Sequence, residues 1–197
     1  MGRVKKDIKE LIRESRGKRR ARKAAEAWYQ AGKKSAEQKG VQTKGGRFQP
    51  GKIYVFKYNP KYKNELPWYD ANPVVLALDP NGNNDVGINL NLIPGYVKEL
   101  LLDRVYESFS LEIARKKLGK KKNDAVAQGG LSINWEDSKD SLARYKFALR
   151  QYIPNRKIGQ AVVSYENWGK IVLCDFADLN GTTYTELIKE FKSAKSQ

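Results

Sequence analysis

Three short apolar runs, separated by connections rich in Pro, Asn and Gly, constrain this chain more than any other feature. They lie in "GKIYVFKYNPKYKNELPWYDANPVVLALDPNGNNDVGINLNLIPG", residues 51–95. In the first run Ile53 and Val55 alternate with Tyr54, Phe56 and Tyr58, and both sets are apolar or aromatic. That pattern predicts a strand covered on both faces. Pro73 opens a second strand, "PVVLAL", and "DPNGNND" supplies a turn longer than a two-residue hairpin loop. In the third run Val86, Ile88, Leu90 and Leu92 alternate with Gly87, Asn89 and Asn91, a half-buried pattern. Three short antiparallel strands with an aromatic opening strand predict a small SH3-like β-barrel.

Helical periodicity surrounds these strands, so the expected class is α+β, with inserted and C-terminal helices. "PGYVKELLLDRVYESF" places Val97, Leu101 and Val105 on one face, with Leu100 on its flank. "SLEIARKKLGKKKNDA" predicts a further helix through Leu111, Ala114 and Leu118, ending at Gly119. A third is expected over "NWEDSKDSLARYKFALRQYIP", stopped before Pro154. "GQAVVSYENWGKIVLC" reads as strand, turn, strand. "TTYTELIKEFKSAKSQ" opens with Thr183 and Glu186 in capping-box spacing and points Leu187, Ile188 and Phe191 inward.

The charge is unevenly spread. Among 197 residues, 38 are Lys or Arg and 22 are Asp or Glu, for a net charge of +16. Residues 1–47 hold 16 basic and 5 acidic residues, and residues 48–197 hold 22 and 17. We therefore expect a basic helical tail and linker over 1–47 and an α+β domain over 48–197. Val4, Ile8, Leu11 and Ile12 mark a short amphipathic helix. The Ala-, Lys- and Arg-rich stretch after it favours helix but has a thin apolar face of Ala21, Ala24, Ala25, Trp28 and Ala31. Such a helix is marginal alone, and the tail is expected to be ordered only by a partner. "GVQTKGG" at 40–46 reads as a linker.

A surface this basic attracts polyanions. Arg13, Arg16, Lys18, Arg19, Arg20, Arg22 and Lys23 fall within eleven positions and spread around a helix, as phosphate contact requires. Trp28 and Tyr29 just beyond are placed to stack on a base or pack on a protein neighbour. A second cluster comprises Arg115, Lys116, Lys117, Lys120, Lys121 and Lys122. Neither is accompanied by a zinc-finger, helix-turn-helix or RNP pattern, so the expected binding is indifferent to sequence. The apolar face is too thin for firm membrane insertion, and no run of 18 apolar residues exists.

Composition excludes most catalysis. The chain has no histidine, which removes Ser-His-Asp and Cys-His centres and histidine-ligated zinc. Its one cysteine, Cys174, sits in the apolar run "KIVLCDF" and reads as a buried, inert thiol. The nearest approach to a nuclease carboxylate pattern, Asp137-Ser138-Lys139, falls at an expected helix start where Asp137 serves better as a cap. No phosphate-binding Gly-rich loop is present. No cofactor or metal is expected, and no enzyme. "LPWYD" also admits two readings, a tuned acid or a structural corner. A lone carboxylate lacks a catalytic partner, so Pro67, Trp68, Tyr69 and Asp70 are read as a corner, with Asp70 accepting backbone N–H bonds.

The run from Gly51 through "PVVLAL", then "VGINLNLIP", resembles a family of tailed-phage virion proteins. These are usually called DNA end protectors, or head-completion proteins, of large contractile-tailed phages. The matching positions are Tyr58, Asn59, Pro60 and Lys61, then Leu66 to Asp70, then Gly87 to Pro94. "YKFALRQYIPNRKIGQAVVSYENWGKIVLCDF" is similar to the family's closing block, with its Arg-x-Tyr and its tryptophan before an apolar run. The resemblance covers roughly residues 48–176, leaving the basic tail outside. Asn59 stands where the family has Asp, Asn91 where it has His, and the family's ending after Phe176 is absent. The resemblance implies a non-enzymatic virion protein at the head–tail junction, made in the host cytoplasm. Its implied partners are double-stranded DNA and portal, neck or other virion proteins, within an oligomeric assembly. The alternative is a purely structural virion component whose tail wedges between acidic protein neighbours.

Overall fold

The computed structural model describes residues 19–38, 46–79, 82–117, 143–173, 179–183, 185–187 and 189. The first strand, β1 (Ile53–Tyr58), is an interior strand of the main sheet. After the two-residue β2 (Tyr69–Asp70) come β3 (Val74–Ala77) and β4 (Asp85–Asn89), then β5 (Leu149–Tyr152) and β6 (Lys157–Val162). A short β7 (Leu179–Asn180) pairs with β2. The main sheet is antiparallel, in the order β5-β4-β3-β1-β6. Ile53 faces Leu76, Leu76 faces Ile88, and Ile88 faces Leu149 across successive ladders. The β1–β6 pairing slips between Val55 and Lys57, a bulge-type irregularity.

This sheet is open, which corrects the expected barrel. β5 and β6 lie at opposite edges and do not pair. Each face is closed by side chains instead. On one face Ile53, Val55, Val74, Leu76, Val86 and Ile88 join helical residues in the main core. On the other, Phe48, Tyr54, Phe56, Val75, Ala77 and Tyr152 form a second, mostly aromatic cluster. Phe48 stacks on Tyr54 at 4.7 Å, and Phe56 meets Tyr152 edge-on at 5.3 Å. The double-faced pattern of β1 thus reflects two cores. Gly87, in mid-strand, has Val75 and the Leu76 carbonyl where a Cβ would stand, so only glycine fits there.

Helix α1 (Arg19–Gln38) packs on this sheet, so the expected boundary at 47/48 does not detach it from the body. Ala25 and Tyr29 are buried in the main core, with Trp28 half-buried beside them, while Ala24 and Ala31 face solvent. Tyr29 also donates a 2.7 Å hydrogen bond to the Asn72 carbonyl. One large ring therefore supplies the anchorage that a stripe of alanines lacks. Residues 1–18 and the linker at 40–45 lie outside the described residues.

Other expectations are corrected as well. The two helices expected after Pro94 are one, α2 (Gly95–Lys117), in which Leu102 and Val105 are buried and Leu100 is 63% exposed. The helix expected to reach Pro154 is, in its described part, a 3-10 segment (Ala143–Ala148) followed by β5. Tyr145 leaves helical geometry there, with φ −128° and ψ 31°, and Leu149 and Tyr152 are captured by the sheet. The second strand expected near residue 170 is helix α3 (Trp168–Leu173), because Trp168 and Ile171, three apart, both bury. The third strand ends at Asn89, before the expected Leu92. The Asn89 side chain accepts from the Asn91 N–H and starts a 3-10 turn (Leu90–Leu92).

The capping box forms. The Thr183 N–H donates to Glu186 Oε2 at 2.8 Å and the Glu186 N–H to Thr183 Oγ1 at 3.3 Å, with Leu187 buried. Those hydrogen bonds, led by the Thr183 backbone, hold the Glu186 carboxyl below its ordinary value. Ile188, Phe191, Cys174, Asp137 and Lys139 lie outside the described residues.

Candidate nucleic-acid interface

The Pro67–Asp70 corner is held from two sides. Tyr69 and Asp70 pair with Asn180 and Leu179. Gly181, at φ 91°, lets the chain turn directly against the Pro67 carbonyl, where any side chain would collide. Asp70 is 6% exposed. Its Oδ1 accepts the Asn72 N–H at 3.0 Å, and its Oδ2 accepts from the side-chain amides of Asn89 at 2.9 Å and Asn91 at 2.8 Å. A buried carboxylate with donors from three residues clamps β2 to the end of β4. A carboxylate so engaged has little capacity left for proton transfer.

Beside this corner opens a groove of about 300 Å³. Trp68, Arg150, Tyr58 and Tyr152 line it, together with the more exposed Tyr62 and Leu66. The Arg150 guanidinium lies 4.0 Å above the Trp68 ring, a cation–π stack. Desolvation lowers the Arg150 pKa, opposed by the nearby Tyr152 and Asp70. The loop bearing Tyr62 and Leu66 is closed by Glu65 and Leu66 N–H groups donating to the Tyr62 carbonyl, and it carries Lys61 with its Nζ 4.9 Å from the Tyr62 ring. Lys63 and Arg156 line an adjoining depression.

A separate buried ion network braces the aromatic face. Lys157, 1% exposed, pairs with the fully buried Asp85 and donates to the Gly46 carbonyl at 3.0 Å. Its Nζ sits 4.0 Å from the Phe48 ring. Asp85 also takes the Phe48 N–H at 3.1 Å and pairs with Arg47 at 3.0 Å. This joins the segment before β1 to β6 and β4.

The basic residues singled out from the sequence fall in two classes. Arg20, Arg22 and Lys23 are exposed on α1, near its N-terminus and within about two and a half turns of the buried Ala25 and Tyr29. Arg19 begins that helix and Arg115, Lys116 and Lys117 end α2, but their side chains lie outside the described residues, as do Arg13, Arg16, Lys18, Lys120, Lys121 and Lys122. Sequence reasoning missed Arg150, Tyr62 and Tyr152, and it assigned Tyr29 to partners when the ring belongs to the core. The Arg-x-Tyr of the closing block is Arg150 to Tyr152, so that motif marked the groove without revealing it. Among the described residues no cluster of His, Cys, Asp and Glu is placed to hold a metal, and no helix is long and apolar enough to cross a membrane.

The whole-chain comparison decides the family. The family model described as phage T4 terminal DNA protecting protein matches residues 2–190. The chain belongs to that family. Membership makes it a phage DNA-protecting protein, and the match takes in the N-terminal basic stretch, beyond the resemblance over residues 48–176. No curated protein and no solved structure matches the chain.

Proposed function

We propose that this chain is a non-enzymatic virion protein that binds the ends of packaged double-stranded DNA, indifferent to sequence, at the head–tail junction. The observation that carries the reading is the family match, which runs through the basic N-terminal stretch. The structure adds a physical rationale. Arg20, Arg22 and Lys23 project from a helix whose other face is buried, so their charges are displayed from a fixed platform. Ordering a free tail on DNA carries an entropy penalty that an anchored helix has already met. The sheet and α2 would dock on portal or neck proteins, within an oligomeric assembly.

A purely structural role is the second reading, favoured by apolar side chains left on the surface. Tyr96 and Leu100 on α2 are 61% and 63% exposed, and Val162 at the β6 edge is 55% exposed. Exonuclease digestion of a blunt linear duplex separates the two. The full-length protein is expected to slow digestion more than polylysine at equal charge does. Equal slowing by both would put the structural reading first.

A further inference from the structure

The groove beside the corner combines features that neither the fold nor phosphate binding by α1 accounts for. Tyr62 is 53% exposed and Leu66 42% exposed among the residues that line it. Arg150 presents a flat guanidinium already stacked at 4.0 Å on Trp68. The hydroxyl of Tyr152, a groove-lining residue 3% exposed, has no hydrogen-bond partner among the described residues. The carboxylate in the groove, Asp70, is occupied on both oxygens. Lys61, with Lys63 and Arg156 in the adjoining depression, outnumbers Glu65 there. The groove is thus small, aromatic and cationic.

We propose that this groove seats the terminal nucleotide of a DNA end, its base stacked between Tyr62 and the Arg150–Trp68 pair and its phosphate facing Lys61, Lys63 and Arg156. Aromatic rings and arginine planes are the surfaces on which unpaired bases stack, and every base offers a π-face, so the site is indifferent to sequence. About 300 Å³ is the small end of the range for ligand pockets and suits one nucleotide, not a duplex. A base inside a duplex must break stacking on both sides to enter, whereas a terminal base breaks it on one. The geometry therefore converts a general affinity for DNA into a preference for ends. This inference rests on the end-binding function proposed above.

The test compares the full-length protein on a blunt linear duplex and on the same sequence as a relaxed, covalently closed circle. A 2-aminopurine is placed at the terminal or at an internal position of the blunt form. We expect about tenfold tighter binding to the open duplex, as one stacked base supplies, with a fluorescence change at the terminal label only. Tyr62→Ala and Arg150→Gln, each with unchanged melting temperature, should erase both effects and leave affinity for the closed duplex intact. Tyr62→Trp should retain them. An end preference that survives Tyr62→Ala overturns the groove while leaving the proposed function standing. Loss of particle incorporation by Tyr62→Ala, with end preference intact, makes the groove a protein-docking surface and also overturns it. A wild-type protein that does not prefer ends removes the proposed function and the groove together.

Discussion

Tyr152 shows how a single residue can serve a site at the expense of the fold. Its ring packs on Phe56 and Tyr58, at 5.3 and 5.1 Å, but its buried hydroxyl has no partner among the described residues. An unpaired buried hydroxyl is unfavourable by about 1–3 kcal/mol. Tyr152→Phe is therefore expected to raise stability by about 1 kcal/mol at neutral pH, read by urea unfolding; a decrease would mean the hydroxyl is bonded after all. The same change should alter the alkaline limb. Burial, then the Asp70 charge, pushes the Tyr152 phenol well above its ordinary 10.0, and burial raises Tyr58 too. Above about pH 10 the unfolded chain releases protons that the folded chain retains, so stability falls as pH rises. Lys157, lowered mainly by desolvation, has the opposite sign: between its folded value and 10.5 its contribution rises with pH. Tyr152→Phe removes one of these raised phenols and should make the decline above about pH 10 shallower. At this scale local signals were legible and distant ones were not. The Asn72 N–H that Asp70 accepts lies two residues away, whereas Asn89 and Asn91 reach it from 19 and 21 positions on.

Among the elements, β1, β3 and β4 were legible because apolar or alternating runs of four to six residues, set off by Pro, Asn and Gly, survive tertiary packing with little change. β5 was not. Its four residues follow "ARYKFA", whose helix-forming composition masks the alternation of Leu149 and Gln151 with Arg150 and Tyr152. Because that strand carries Arg150 and Tyr152, losing it meant losing the groove. α3 failed for a related reason: "WGKIVL" is apolar enough for either a strand or a short buried helix, and packing against α1 and α2 decides. Helix α1 was legible as a helix but not as part of the core, since its hold depends on Tyr29 reaching the Asn72 carbonyl. Tyr29→Ala is expected to lose about 3–4 kcal/mol, in the range for large aromatic truncations. Amide exchange offers the more local readout. In the free wild-type protein the amides around Ala25 to Tyr29 should be protected, and in Tyr29→Ala that protection should fall first. Absence of protection in the wild type would return this helix to the status of a free tail.

For the molecule as a whole, the net charge of +16 sets the expected mode of association. If roughly 5–7 phosphates are engaged, log K against log salt should slope at about −4 to −6 on duplex DNA. Replacing Arg16, Arg19, Arg20 and Arg22 with glutamine should flatten that slope by several units without altering the melting temperature. An unchanged slope would remove α1 from the DNA contact. How such a variant is made matters, because of the brace between the segment before β1 and the sheet. Lys157, buried and pressed on Phe48, depends on the Gly46 carbonyl and on Asp85, which Arg47 also holds. A late start codon beyond residue 47 would strip the Gly46 carbonyl and Arg47, along with Ala25 and Tyr29, and leave the buried Lys157–Asp85 pair without them. Evolution can therefore adjust the charge of this N-terminal region one codon at a time, but it cannot shed or exchange the region as a cassette. Gene fusions and truncated reading frames that begin after residue 47 should accumulate as insoluble chains, even where their missing arginines would have been dispensable.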